Sequence, residues 1–211
     1  KLMQVVNTPI SPYVQNAPIA YCEDTKECIY VDPGDELDKL VSVQQSLGLK
    51  PQYIFITHGH IDHAGAAKEL ADRLNLQIIG PHKADDFLLQ SLEIQGQMYN
   101  MKAQNFTPDK WLEHGDILKF GNQELDIKHC PGHAPGHVIG INHKAKRIIA
   151  GDVLFNGSIG RTDLPQGNYQ DLIDSINSHL LVLDDSFIVH CGHGPDTSIG
   201  HERKTNPFLN A

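Results

Sequence analysis

Apolar residues recur along this chain in two rhythms. Short apolar runs bounded by turn residues predict strands at residues 2–6, 19–22 and 28–31, the last two joined as a hairpin across the polar stretch 23–27. Asp32-Pro33-Gly34 ends that hairpin. Leu37, Leu40, Val41 and Leu47 then fall at helical spacing and predict a helix over 35–47, and Ala67, Leu70, Ala71 and Leu74 line one face of a second helix over 64–74. Short buried strands are expected at 53–56 and 77–79. Residues 91–112 break the rhythm, with Leu92, Ile94, Met98, Tyr99, Met101, Phe106 and Trp111 scattered through a polar stretch. That stretch reads equally well as a partly helical flap or as a connection packed on the core. From Ile117 onward the pattern is β, at 117–120, 124–129, 138–142 and 147–150, with Gly121-Asn122 as a hairpin signal. A helix over 169–183 and a strand at 187–189 close the series.

Strands and helices, then several strands, then a helix and a strand suggest two sheets packed face to face with helices outside, an α/β (α+β) architecture. The 211 residues show no internal repeat, low-complexity tract or linker, so a single domain over 1–211 is expected. Composition is that of a globular protein, 40% hydrophobic and 20% charged. The net charge of −9 argues against a nucleic-acid partner. Cys22, Cys28, Cys130 and Cys191 form no C-x-x-C pair and read as buried, reduced thiols. No run approaches the length of a membrane span, and Lys1-Leu2-Met3 opens no signal-like segment, so a cytoplasmic location is expected.

The chemistry is concentrated after the strand at 53–56, in Thr57-His58-Gly59-His60-Ile61-Asp62-His63. Four ligating side chains this close would repel and titrate if left unpaired. A divalent cation resolves the conflict, since imidazole and carboxylate suit zinc, iron and manganese. Three more ligand-type side chains sit beside glycine at strand ends, in Pro131-Gly132-His133, Gly151-Asp152 and Gly192-His193-Gly194. Rigid sheets commonly present sites on such loops. His137, four residues beyond His133, is expected to support a ligand or cap a strand. His82, His114, His129, His143, His179, His190 and His201 read as solvated or structural.

The set T-H-G-H-I-D-H, P-G-H, G-D and G-H-G, in this order, resembles the metallo-β-lactamase superfamily over nearly the whole chain. The resemblance implies a four-layer αββα sandwich with two metals at the loop edge of the sheets. It implies one metal on His58, His60 and His133, a second on Asp62, His63 and His193, and Asp152 bridging both. Two cations near one water would lower its pKa and supply hydroxide at neutral pH, with Asp62 orienting the nucleophile. Zinc is the first expectation, with iron or manganese as substitutes.

Within the superfamily, Val31-Asp32-Pro33-Gly34, Gly151-Asp152-Val153-Leu154-Phe155, Gly160-Arg161-Thr162-Asp163 and Asn206-Pro207-Phe208-Leu209 resemble the glyoxalase II group, and particularly its short bacterial branch of YcbL-like hydrolases. That implies a hydroxyacylglutathione hydrolase-like thioesterase acting on S-lactoylglutathione or a related small-molecule thioester. Long-form members hold glutathione with basic residues beyond Asn-Pro-Phe. Here the 91–112 stretch, Arg161, Arg203 and Lys204 are the candidates for that task. Arg161 is weighed equally as a clamp on a substrate carboxylate and as an ion-pair partner of Asp163.

The main alternative is persulfide dioxygenation by a single iron on His58, His133 and Asp152, since such enzymes resemble this chain around Gly160-Arg161-Thr162-Asp163. An RNA-processing nuclease is disfavoured by the acidic balance, and a non-catalytic metal-binding scaffold by the completeness of the seven-residue ligand set.

Overall fold

The computed structural model describes residues 2–210. The first half of the chain carries β1 (Met3–Val6), a small hairpin of β2 (Pro9–Ile10) and β3 (Gln15–Asn16), β4 (Ile19–Cys22), β5 (Glu27–Val31), α1 (Leu37–Ser46), β6 (Lys50–Phe55), α2 (Ile61–Ala64), α3 (Ala67–Leu74) and β7 (Ile78–Ile79). Then come α4 (Asp86–Leu89), α5 (Leu92–Tyr99), β8 (Ile117–Phe120), β9 (Gln123–His129), β10 (Val138–Asn142), β11 (Arg147–Gly151), β12 (Leu154–Phe155), β13 (Ser158–Ile159), α6 (Tyr169–His179), β14 (Ile188–Cys191), β15 (Thr197–Ser198) and α7 (Ile199–Thr205). One sheet has the order β1-β4-β5-β6-β7 and the other β15-β14-β11-β10-β9-β8. Pairing is parallel at β5–β6, β6–β7 and β11–β14 and antiparallel elsewhere in the two sheets.

Strand alternation sorts the apolar residues into three layers. Ala20, Ile29, Val31 and Phe55 of one sheet meet Leu125, Ile127, Val138 and Ile149 of the other in a central cluster. Their chain neighbours Ile19, Tyr30 and Ile54 face the opposite way, onto Leu37 and Leu40 of α1 and Leu70 of α3. Likewise Ile139, Ile148 and Val189 face Leu172 and Ile176 of α6 and Ile199 of α7. Each sheet is thus buried on both faces, by its partner sheet inside and by helices outside, which gives the αββα sandwich.

Several sequence expectations need correction. The helix expected over 64–74 is two pieces, α2 and α3, broken at Gly65-Ala66, so Asp62 and His63 are helical rather than loop residues. The helix expected over 169–183 stops at His179. Leu180, Leu181 and Leu183 are apolar because they pack on the second sheet's outer cluster, not because the helix continues. The last long strand is β14, shifted to run up to Cys191. Of the two-residue strands only β7, expected at 77–79, was anticipated; the others and α7 were not, being too short for a readable period. Within 91–112, Leu92, Phe106 and Leu112 are buried anchors while Ile94, Met98 and Tyr99 of α5 are exposed. Both expectations for this stretch therefore hold in part. The four cysteines are free and buried, and no helix among the described residues is long and apolar enough to cross a membrane.

Candidate metal centre

The strand-end loops of both sheets meet along one edge. β6 delivers His58 and His60, and α2 delivers Asp62 and His63. The loop after β9 delivers His133, the residue after β11 is Asp152, and His193 follows β14. The seven donors fall into two groups, each lying within 4.8 Å of one another, His58, His60 and His133, and Asp62, His63, Asp152 and His193, while a third such group, Asp32, His58 and His63, spans the two. All seven residues expected from the sequence are brought together.

The groups are aimed from behind. Asp32, at the end of β5, accepts the Thr57 backbone N–H at 2.8 Å and the Thr57 hydroxyl at 2.6 Å, and contacts His63 Nδ1 at 3.0 Å. The Thr57 hydroxyl also lies 2.9 Å from His58 Nδ1. His133 Nδ1 donates to the Arg161 carbonyl at 2.8 Å. In each case the far ring nitrogen is left to face the centre, the usual way a second layer fixes an imidazole ligand. Asp85, fully buried, accepts the Gly59 and Gly136 N–H groups at 2.8 and 2.6 Å and ties the His58–His60 loop to the loop of His133. His137 does not join either donor group. It stacks on His58 with centroids 4.5 Å apart, and its Nε2 accepts the Asp152 N–H at 3.1 Å, the supporting role expected of it.

The interior of the cluster fits cations and little else. Asp152 Oδ2 lies 3.2 Å from His63, 3.4 Å from His133, 3.5 Å from His193 and 3.7 Å from His58. Imidazole nitrogens of His60 and His133 oppose each other at 3.1 Å, as do those of His63 and His193 at 3.4 Å. Among the described residues, His58 Nε2, His60 Nε2 and Asp152 Oδ1 are buried without a hydrogen-bond partner. Leaving such atoms unpaired is costly, and converging unpaired lone pairs are what a divalent ion satisfies. Two glycines make the approach possible. A Cβ on Gly192 would lie 2.1 Å from Asp152 Oδ1, and one on Gly34 would lie 1.9 Å from the Asp62 carbonyl oxygen.

Charge divides the two groups. Burial, reinforced by neighbouring imidazoles, pushes His58 well below the ordinary histidine range and His60 down to about 3. Burial acts on His63 in the same direction, but Asp152 and Asp62 outweigh it and hold this imidazole well above its usual value. His193 is raised to about 9, the same carboxylates overcoming its burial. Both carboxylates are pushed up by burial and pulled further down by His63 and its neighbours, so they stay ionised.

The sequence-based substrate candidates fare differently. Arg161 makes a fork with Asp163, Nε–Oδ1 2.7 Å and Nη2–Oδ2 3.0 Å, so the ion-pair reading describes its side chain here, while its carbonyl orients His133. Arg203 is engaged by the Asp185 carboxylate and by the Leu181 and Leu183 carbonyls, at 3.0, 2.7 and 2.7 Å, and so staples α7 to the 181–185 loop. Lys204 is exposed. Among the bystander histidines, His129 stacks on His82 at 4.1 Å and His143 pairs with Asp126 at 2.9 Å. Sequence reasoning missed Asp32, Asp85, Gln15 and Asn16 as residues that hold the centre. It also missed Phe155, whose ring stands edge-on to His193 at 6.0 Å. A groove of about 750 Å³ between α1, α3 and residues 93–104 contains none of the donors.

Fold and donor set agree with the comparisons. The sequence matches the metallo-beta-lactamase superfamily over residues 16–193. It is 41% identical to the hydroxyacylglutathione hydrolase GloC of Haemophilus influenzae, across 99% of each chain. Among solved structures it is similar to TTHA1623 in a di-iron-bound form, with 36% identity, a TM-score of 0.87 and coverage of 97% of this chain and 100% of that one. It is also similar to the B3 metallo-beta-lactamase BLEG-1, with 34% identity, a TM-score of 0.90 and coverage of 99% and 100%. The chain belongs to the metallo-β-lactamase superfamily. Within it, the chain is a metallo-hydrolase, a fold that implies divalent metal ions, and its His/Asp cluster groups donors that could hold them.

Proposed function

We propose that this protein is a dinuclear thioester hydrolase of the glyoxalase II type, acting on S-lactoylglutathione or a closely related glutathione thioester. The observation that carries the reading is the pair of converging donor groups meeting at Asp152, in a chain alike from end to end to a hydroxyacylglutathione hydrolase. His58, His60 and His133 would hold one cation, Asp62, His63 and His193 the other, and Asp152 both. Two such ions supply Lewis acidity toward a thioester carbonyl and a water that is nucleophilic at neutral pH. The chain supplies orientation. Asp32 fixes the tautomer of His63 and the Arg161 carbonyl that of His133. Asp62, ionised and partly exposed, would align a nucleophile. Phe155 gives the His193 side of the centre an apolar wall. Zinc, iron and manganese all suit imidazole and carboxylate donors. Zinc is the first assignment, and the di-iron form of a structural relative makes iron its main competitor.

Release of glutathione from S-D-lactoylglutathione by zinc-loaded protein, abolished by a chelator and restored by added zinc, is the expected result. Metal-replete protein that leaves this thioester intact would refute the assignment. Oxygen uptake with glutathione persulfide would redirect it to dioxygen chemistry.

The charge division has its own consequence. His63 and His193 have raised pKa values, so at neutral pH they carry protons that a cation must displace. His58 and His60 have lowered values and carry none. Lowering the pH from 8 to 6 is therefore expected to weaken zinc uptake by the second group, roughly tenfold per pH unit for each proton displaced. Uptake at His58 and His60 should change far less. Zinc titrations at the two pH values check this, and equal weakening at both positions would contradict it.

A further inference from the structure

The chain between β1 and β4 is longer than the fold requires. Val6 pairs with Ile19 across the two antiparallel strands, so a two-residue turn would join them. Residues 7–18 instead leave the sheet, form the β2–β3 hairpin, which belongs to neither large sheet, and end at the metal centre.

There the hairpin binds the backbone of one donor group only. The Asn16 backbone N–H donates to the Gly192 carbonyl at 2.8 Å. Its side-chain amide donates to the Cys191 and Gly194 carbonyls at 2.8 and 2.9 Å, enclosing His193 on both sides. Gln15 forms an isolated antiparallel bridge with His193, and its amide donates to the Asp62 carbonyl at 2.7 Å. Both side chains are buried, Gln15 completely. The hairpin tip adds the Tyr13 hydroxyl, which donates to the Tyr99 carbonyl at the end of α5 at 2.8 Å. Val14 at the tip holds φ 53, a left-handed conformation that a β-branched residue adopts only where its surroundings impose it.

The donor group that the hairpin holds is the one that needs holding. His58, His60 and His133 are buried and backed by Thr57, Asp85 and the Arg161 carbonyl. His193 and Asp62 have side chains 33% and 24% exposed, and they sit on segments that the hairpin joins. We infer that Gln15 and Asn16 are positioning residues for the second metal: the N-terminal hairpin is a strap that sets how tightly the Asp62/His63/His193 position holds its ion, leaving the His58/His60/His133 position unaffected. The inference rests on the dinuclear reading above.

The test is a competitive zinc titration of the full chain, as wild type, Asn16→Ala and Gln15→Leu, against a chromogenic chelator. Outer-layer partners of metal ligands are typically worth roughly 10–100-fold in metal affinity. Each variant is expected to weaken the second zinc by about that factor and to leave the first within about twofold, a split that general loss of stability would not produce. Should Asn16→Ala fail to fold, Gln15→Leu carries the test from the Asp62 side. Two zinc affinities unchanged in the variants, or both weakened alike, would overturn the strap. A wild type that binds one zinc would remove the dinuclear reading and the strap together, an outcome distinct from either.

Discussion

Asp152→Ala is expected to empty both metal positions and to lower turnover of S-D-lactoylglutathione by on the order of 10³-fold or more. Oδ2 of this one carboxylate faces histidines of both donor groups at 3.2–3.7 Å, and Oδ1 is buried with no partner among the described residues. On the dinuclear reading, losing any single histidine would remove a ligand from one position, whereas losing Asp152 would remove one from each, together with the negative charge that would offset two adjacent cations. The fold should survive, because the link that seats this residue in the structure runs through its backbone N–H to His137 and not through the carboxylate. Circular dichroism like that of the wild type, a zinc content near zero after desalting and a lost rate would together bear out the shared-ligand role. A variant that kept both zinc ions and its rate would end it.

What could be read from the sequence and what could not divide along a physical line. The candidate donors were legible because His58, His60, His133, Asp152 and His193 sit beside glycine in loops after apolar strands, and Asp62 and His63 continue the first of these runs, a local pattern that survives in one dimension. The sandwich was legible because Ile19, Tyr30 and Ile54 alternate with Ala20, Ile29 and Phe55, so that each strand shows two apolar faces. The supporting residues were hidden because their partners are remote. Asp32 meets His63, Asp85 meets Gly136 and Asn16 meets Cys191, contacts that exist only once the chain has folded. Asp85 carries no local sign at all, lying in a polar stretch, Lys83-Ala84-Asp85-Asp86, that reads as solvated surface. The helix expected over 169–183 failed for the converse reason, since Leu180–Leu183 supply apolar residues to the core without helical geometry.

Asp85 offers the largest expected effect on stability. Its two oxygens each accept a backbone N–H, from Gly59 between His58 and His60 and from Gly136 in the His133 loop, at a fully buried position. Asp85→Ala strands both donors and is expected to cost about 2–4 kcal/mol at pH 7. It should also weaken zinc at His58, His60 and His133 roughly 10–100-fold, the converse of the hairpin variants. Asp85→Asn keeps one acceptor and should fall between. The pH dependence gives a second handle. Burial raises this carboxyl to about 6, against the opposing pull of the two N–H groups. Because the folded pKa lies above the unfolded one, the folded state pays for a buried charge above pH 6. That penalty is relieved as pH falls from 6 toward the ordinary carboxylate range, where the protonated group still accepts both N–H bonds. Alanine has no such penalty to relieve. In metal-free protein the gap between wild type and Asp85→Ala should therefore widen by roughly 1 kcal/mol between pH 7 and pH 5. Urea unfolding at the two pH values measures it. A gap that narrows on acidification would mean that Asp85 folds as a stabilised anion, and that its hold on the two loops depends on charge rather than on the two hydrogen bonds alone.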